Sequence, residues 1–174
     1  MVAFLKVHPE VGMVGPQLLN PDKTIQHSCA RFRGLMNPLY RRTLLGRLKG
    51  GTAMVRHYLM VDADHTKIQP VDWLLGACLM LKRNHLTTAG LLDERFFLYF
   101  EDIDWCRRFW AKGLKIVYLP TAHMIHYHRR LSAEDTIFTA LFSAPTRAHI
   151  ASGIKYFWKY RKKIVPKLNT HENI

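Results

Sequence analysis

Cysteine and acidic residues are scarce in this chain. Its 174 residues include 3 cysteines, Cys29, Cys78 and Cys106, which are widely spaced and form no CxxC pair. We therefore expect no disulfide framework, and a reducing compartment fits. The 13 Asp and Glu residues face 26 Lys and Arg, which leaves a formal net charge of +13. Such a basic surface attracts nucleic acid, anionic lipid and pyrophosphate groups without choosing among them.

Long apolar runs are also lacking. The longest nearly uncharged apolar run, WLLGACLML, spans residues 73–81, about half of the roughly 20 residues that a membrane-spanning helix needs. The N-terminal MVAFLKVHPEVG has no basic stretch followed by an apolar region and a cleavage site, so we expect no export signal. A hydrophobic content of 48% predicts one domain with its own core.

Hydrophobic periodicity, glycine and proline predict the order of the structural elements. Apolar alternation indicates strands, and Gly113 marks the end of the clearest helix. We expect a helix ending before His8, a buried strand with a turn at 20–22, a basic excursion over 29–69 with a short helix near 38–48, a buried strand over 71–81, a helical turn over 83–89, a helix over 101–112, a strand over 114–119 and an amphipathic helix over 145–163.

The stretch FFLYFEDIDWCRRFW, residues 96–110, places carboxylates between aromatic clusters. At about 100° per residue, Asp102 shares its side of the helix with Trp105, Cys106 and Phe109. Asp102 should therefore point toward the interior or a cleft beside it, where a carboxylate is costly unless it is paired or has work to do. It can act as a general base or merely cap the helix, and the spacing alone favours neither.

The other polar residues of this helix share a second side. Glu101, Asp104 and Arg108 follow the spacing that allows side chains to pair along a helix. We expect this side to be ordinary solvated helix surface.

Histidines cluster in HMIHYHRRLS, as His123, His126 and His128. Their spacing matches no closed zinc signature, even if Cys106 is added. One histidine acting as a single ligand to a metal held elsewhere is more plausible, and the alternative is that alternate histidines line an exposed edge strand.

Two further motifs have simple explanations. Asp62 and Asp64 form a DxD triplet that could chelate a cation, but they lie in a charged segment that we interpret as a solvated loop. The sequence IKYFWKYRKK, residues 154–163, suits a membrane surface, nucleic acid, or a core-packing helix with a basic outer face.

Taken in order, five segments resemble the C-terminal half of family 2 glycosyltransferases, especially rhamnosyltransferase-like members. They are HPEVGMVGPQLLNPDKTIQ, VDWLLGACLMLKR, GLLDERFFLYFEDIDWCRR, GLKIVYLPTAHMIHYHRRLS and RAHIASGIKYFWKY. The resemblance implies a partial GT-A fold, an α/β nucleotide-diphospho-sugar transferase-like sandwich with a mixed, mostly parallel sheet and flanking helices. It also implies inverting transfer of a sugar, such as rhamnose, from a nucleotide-sugar donor to a hydroxyl, with a divalent cation, Mg²⁺ or Mn²⁺.

The resemblance assigns roles on the helix that follows the aromatic run. Asp102, in EDxDxxxR, resembles the catalytic base that deprotonates the acceptor hydroxyl, and Glu101 is its catalytic neighbour. Asp104 and Arg108 would support this helix as part of the substrate-binding site.

It also assigns roles outside that helix. Trp73, Gly76 and Ala77 match the substrate-binding segment that approaches the donor sugar and the acceptor. His126 matches the histidine that reaches the metal and the donor diphosphate, with His128 as the alternative.

The chain departs from this family at its start. The units that hold the nucleotide and the family's metal-binding DxD should precede His8, and Asp62-Ala63-Asp64 is no substitute because it lies after that point. We therefore expect a truncated glycosyltransferase or a separately encoded acceptor-side half, for which an N-terminal-half partner and a second copy of the chain are the candidate protein partners. Residues 1–144 would be the acceptor-side part of the domain and residues 145–174 a basic, aromatic helix and tail.

The expected partners follow from the resemblance and the charge. They are a nucleotide-sugar donor, a lipid-linked or polysaccharide acceptor, and the membrane surface, with the protein peripheral at the cytoplasmic face and no nucleic acid bound. Two alternatives stay open: a basic nucleic-acid-binding protein, and a non-catalytic remnant that associates with a membrane or a partner.

Overall fold

The computed structural model describes residues 1–32, 49–127 and 143–163, and it has an α/β fold with a mixed sheet and flanking helices. The predicted helix over 38–48 lies outside the described residues. The helices are α1 (Val2–Val7), α2 (Lys49–Tyr58), α3 (Arg83–Ala89), α4 (Glu101–Trp110) and α5 (Ala144–Tyr160). The strands are β1 (Val11–Leu19), β2 (Cys29–Ala30), β3 (Gln69–Pro70), β4 (Trp73–Leu74), β5 (Met80–Leu81) and β6 (Lys115–Ile125).

The main sheet has the strand order β3-β6-β1-β5. Its long central pair, β1 and β6, is parallel, whereas the short outer strands β5 and β3 pair antiparallel with β1 and β6. β2 and β4 form a separate antiparallel ribbon. The prediction of a mixed sheet is confirmed, but the mostly parallel arrangement holds only for the central pair.

β1 forms because VGMVGPQLL is apolar along nearly its whole length and is buried on both faces. Gly12 lets α4 approach this strand closely. A Cβ atom at Gly12 would collide with the Phe109 ring and would lie 2.7 Å from the Cβ atom of Leu114. This contact fixes α4 against the sheet.

The predicted single strand over 71–81 is wrong. β4 and β5 are two short strands in different sheets, and residues 75–79 turn between them. Gly76 lies in this turn, and we expected a close backbone approach there.

The strand predicted over 114–119 continues to Ile125 rather than ending at Pro120. Its register with β1 shifts at this point, because Pro16 is opposite Leu119 and Gln17 is opposite His123. A proline, which has no N–H to donate, is tolerated where a strand is irregular. The shift therefore lets β6 carry the histidine segment along β1.

α5 is the predicted amphipathic helix, and it packs against the core. The Ser143 side chain caps its N-terminus by accepting from the Thr146 N–H at 3.4 Å. Tyr156 is fully buried on the inner face, with its ring centroid 5.3 Å from that of Phe100. Among the described residues, no helix is both long and apolar enough to cross a bilayer.

Candidate functional site

The chain enters α4 through a strained turn. Tyr99 and Phe100 have φ angles of 65° and 69°, the left-handed region that residues with a Cβ atom rarely adopt. Each such residue costs about 1–3 kcal/mol and persists where packing enforces it, often at functional sites. Phe100 is buried against Tyr156 and Phe157. In the sequence, an aromatic run that ends at the first acidic residue of the helix is the one visible signal of this turn, and nothing there indicates the backbone strain.

Asp102 lies at the N-terminus of α4 and faces inward, as predicted. It is 7% exposed, and its Oδ1 accepts from the Ile103 N–H at 2.8 Å. Its Oδ2 accepts from the Gly76 N–H at 3.0 Å. Because Gly76 lies outside the helix, capping alone does not account for this carboxylate. Asp102 instead joins α4 to the turn between β4 and β5.

The turn beside Asp102 is open to a ligand. Gly76 and Ala77 are both exposed. A Cβ atom at Gly76 would lie 3.4 Å from the Cβ atom of Asp102, an ordinary van der Waals separation, so the close backbone approach expected at this glycine stays a prediction. A polar ligand that reaches the turn would meet backbone groups beside a carboxylate.

Glu101 adds a second carboxyl group next to Asp102. Burial raises its pKa, and the neighbouring charge of Asp102 raises it further. Its Oε2 is buried and has no hydrogen-bond partner among the described residues. The group can hold a proton at a higher pH than an ordinary glutamate, and then donate a hydrogen bond to a ligand oxygen.

The solvated side predicted for Glu101, Asp104 and Arg108 is wrong. Asp104 has no exposed surface, and its Oδ2 accepts from Arg108 Nε at 2.9 Å. Its Oδ1 accepts from the Tyr160 hydroxyl at 2.7 Å and from Lys159 Nζ. Residues of α5 cover Asp104, and Arg108 also donates to the Ala89 and Leu91 carbonyls, so these contacts hold α4 rather than reach into the open turn.

Trp73 is separated from the exposed turn. Its side chain is buried beside Tyr58, and its indole N–H donates to the Arg31 carbonyl at 2.8 Å. The structure therefore brings Gly76 and Ala77 to the open turn with Asp102, and places Trp73 in the core beneath it.

His126 follows the end of β6 beside Gln26. Gln26 Nε2 donates to Asn20 Oδ1 at 2.7 Å and to the His126 carbonyl at 2.6 Å, which orients its Oε1 toward the imidazole. His126 Nδ1 is 3.0 Å from this Oε1 and donates to it. Nε2 is then the nitrogen with the lone pair, as a metal ligand requires. His128 lies outside the described residues.

The remaining metal-ligand candidates of the sequence are His123 and the DxD triplet, and both lie at the surface. His123 is exposed on β6 beyond Tyr118, where β6 pairs with β1 but no longer with β3, so among the described residues this part of β6 is locally an exposed edge, as the alternative predicted. The solvated-loop interpretation of Asp62 and Asp64 is confirmed, because they pair with Arg56 and Lys67 at the surface. No group of three potential metal-binding side chains occurs in the described part of the chain.

A cleft of about 360 Å³ lies elsewhere, near α2. Its two arginines are engaged, Arg56 with Asp62 and Arg31 with Asp72. Asp102 is not part of its lining, which comprises Arg31, Ala53, Arg56, His57, Met60, Asp62 and Ala63. We assign it no role.

Sequence comparison finds sugar transferases among the proteins that this chain resembles. An N-acetylglucosaminyl-diphospho-decaprenol L-rhamnosyltransferase of Mycobacterium tuberculosis is 28% identical over 127 residues, 73% of this chain. Rhamnosyltransferase WbbL of Escherichia coli is 30% identical over 99 residues, 57% of this chain. An O-antigen biosynthesis protein of Myxococcus xanthus is 29% identical over 134 residues, 74% of this chain.

The matches cover only a part of each relative. They span 41% of the Mycobacterium protein, 34% of the Escherichia protein and 10% of the Myxococcus protein. No family model matches the chain, and no solved structure matches it either. Over the shared segment, the chain is related to glycosyltransferases of glycan and O-antigen biosynthesis.

Proposed function

We propose that this chain forms the acceptor side of an inverting GT-A-type glycosyltransferase in cell-surface glycan synthesis. The donor is a nucleotide sugar, and the acceptor is a hydroxyl of a lipid-linked or polysaccharide chain at the cytoplasmic membrane face. The relatives support a sugar transferase, and the names of two of them make rhamnose the first sugar to test. The single observation that carries the proposal is the Asp102 carboxylate held against the exposed turn at Gly76.

In this reaction Asp102 is the general base. The acceptor hydroxyl gives its proton to the carboxylate as its oxygen attacks the anomeric carbon. A new carbon–oxygen bond forms while the bond to the diphosphate breaks on the opposite face of the sugar, which inverts the configuration. The strained Tyr99-Phe100 turn and the Gly76 N–H fix the carboxylate beside the open turn.

Glu101 would bind the acceptor beside the base. Its raised pKa suits a protonated carboxyl group that donates a hydrogen bond to a sugar oxygen. Such a bond would orient the attacking hydroxyl toward Asp102.

The same proposal assigns His126 to the donor diphosphate. A neutral Nε2 fits one ligand of a Mn²⁺ ion better than of Mg²⁺, which prefers oxygen ligands, and the bound ion would neutralise charge on the leaving diphosphate. The described residues supply no cluster of further ligands. Gln26 would keep the ring in the required tautomer and orientation.

A transfer assay tests the function directly. We expect the chain to move a sugar from a nucleotide donor, beginning with dTDP-rhamnose, to a polyprenyl-diphosphate-linked N-acetylglucosamine. The chain is assayed alone and after fusion to the part of the Mycobacterium relative that lies outside the match, and product is detected by mass spectrometry. No product in either form, across a panel of nucleotide sugars and acceptors, would refute the proposal.

Metal-dependent nucleotide binding tests the assignment of His126. In the form that is active in transfer, we expect Mn²⁺ to tighten the binding of a nucleoside diphosphate, and His126→Ala to remove that Mn²⁺ effect. Calorimetric titration with dTDP and UDP, with and without Mn²⁺, measures it. His123→Ala is the matched control, because His123 is exposed on the same segment of chain. Equal losses in the two variants would contradict the role of His126.

A further inference from the structure

The outer face of α5 carries an apolar stripe that the core does not use. At about 100° per residue, Ile150, Ile154 and Trp158 lie within one sector of the helix. They are 42%, 66% and 68% exposed. Large apolar side chains grouped on an exposed surface mark an interaction site.

The same face is cationic. Arg147, Lys155 and Arg161 are exposed at neighbouring positions, and α5 contains no aspartate or glutamate. The guanidinium of Arg161 lies 4.1 Å from the centroid of the Trp158 ring. The stripe is therefore flanked by positive charge along the length of the helix.

A second exposed aromatic side chain lies on a segment joined to this helix. Phe97 is 91% exposed. The residues around it are tied to α5, because Lys155 Nζ donates to the Arg95 carbonyl at 3.0 Å and the Ser152 hydroxyl donates to the Leu98 carbonyl at 2.9 Å. Phe97 thus adds apolar surface beside the helix.

The inner face of α5 holds this surface in place. Tyr156 is fully buried, and Lys159 pairs with Asp93 at 2.7 Å and with Asp104. The helix therefore cannot turn its stripe inward without breaking buried ion pairs.

We infer that the outer face of α5 docks the protein on an anionic lipid bilayer. A helix whose apolar face carries tryptophan and aliphatic residues flanked by Lys and Arg lies in the plane of a membrane surface. A nucleic acid would pair with the cations of this face but would offer no apolar contact to the isoleucines, because protein–nucleic acid interfaces are polar and highly charged. The inference deepens the proposed function, because a lipid-linked acceptor is presented at a membrane.

Vesicle sedimentation tests the docking face without donor or acceptor. The chain should sediment with phosphatidylglycerol–phosphatidylcholine vesicles and not with pure phosphatidylcholine, and less at high salt. Ile150→Ser/Ile154→Ser/Trp158→Ser should lower the partition coefficient at least about tenfold, because the charge is unchanged and the apolar contacts are lost. The matched control is Val2→Ser/Val7→Ser/Ile25→Ser. These three apolar residues lie outside α5 and are 56%, 73% and 44% exposed.

Three results would overturn the docking face. The first is an equal loss of vesicle binding in both triple variants. The second is a wild-type chain that does not bind vesicles but forms a dimer, which the α5 substitutions dissociate. The third is a wild-type chain that binds DNA instead of vesicles and loses this binding when α5 is substituted. Vesicle binding without sugar transfer would refute the proposed function and leave the docking face standing. Sugar transfer to a water-soluble acceptor without vesicle binding would refute the docking face and leave the proposed function standing.

Discussion

Replacing Asp102 by asparagine is expected to slow sugar transfer by a factor of about 10² to 10⁴, the usual contribution of a positioned general base. Asparagine keeps the size of the side chain but cannot take the proton of the acceptor hydroxyl. Binding of the nucleoside diphosphate should persist, because the proposal assigns Asp102 to the acceptor. Single-turnover rates and calorimetric titration of the same preparations, in the form of the chain that is active in transfer, separate the two effects.

A structural role for Asp102 would give a different pattern. Its oxygens accept from the N–H groups of Gly76 and Ile103, and an asparagine amide group presents N–H to one of those donors. Urea unfolding therefore accompanies the rate measurement. Asp22→Asn, the same change in an exposed turn, should leave the rate unchanged. The expected loss is at least about a hundredfold. An Asp102→Asn variant that keeps more than about a tenth of the wild-type rate would therefore refute the assignment.

The sequence was sufficient to predict α4 and the direction of Asp102. Helical periodicity alone places this residue on the side of Cys106 and Phe109, and both are buried. Gly113 marks the end correctly to within a few residues, since the helix stops at Trp110 and Gly113 has a φ of 75°. The acidic start of the helix was therefore predictable from local rules.

The surroundings of Asp104 were not predictable in this way. The periodicity shows that Asp104 faces away from the apolar side but not what covers it. The covering helix, α5, lies about 40–55 residues later in the chain, and Lys159 reaches Asp104 across that separation. Only the tertiary arrangement turns an apparently solvated carboxylate into a fully buried one.

The strand prediction over 71–81 and the predicted end of the strand over 114–119 were wrong for a related reason. The apolar run around Gly76 fits one buried strand by pattern, yet its two ends pair with different sheets. β6 passes Pro120 because the irregular register with β1 removes the need for its N–H. Pairing partners decide both outcomes, and a local pattern does not contain them.

Replacing Asp104 by asparagine is expected to lower the free energy of unfolding by about 3 kcal/mol, near the lower end for breaking a buried ion pair. The change leaves Arg108 and Lys159 facing a neutral amide in a position with no exposed surface. Both cations keep some exposure, 22% and 17% of their side chains, so water relieves part of the cost. Urea unfolding followed by tryptophan fluorescence measures the loss.

A surface ion pair provides the matched control. Asp62 pairs with Arg56, and these side chains are 66% and 51% exposed. Exposed pairs contribute little to stability, so Asp62→Asn should leave the unfolding midpoint unchanged within error. Equal effects of the two substitutions would show that the contacts between α4 and α5 are weak. A large loss at Asp104 alone would show that one buried carboxylate fixes α5, and with it the proposed docking face, to the helix that carries Asp102.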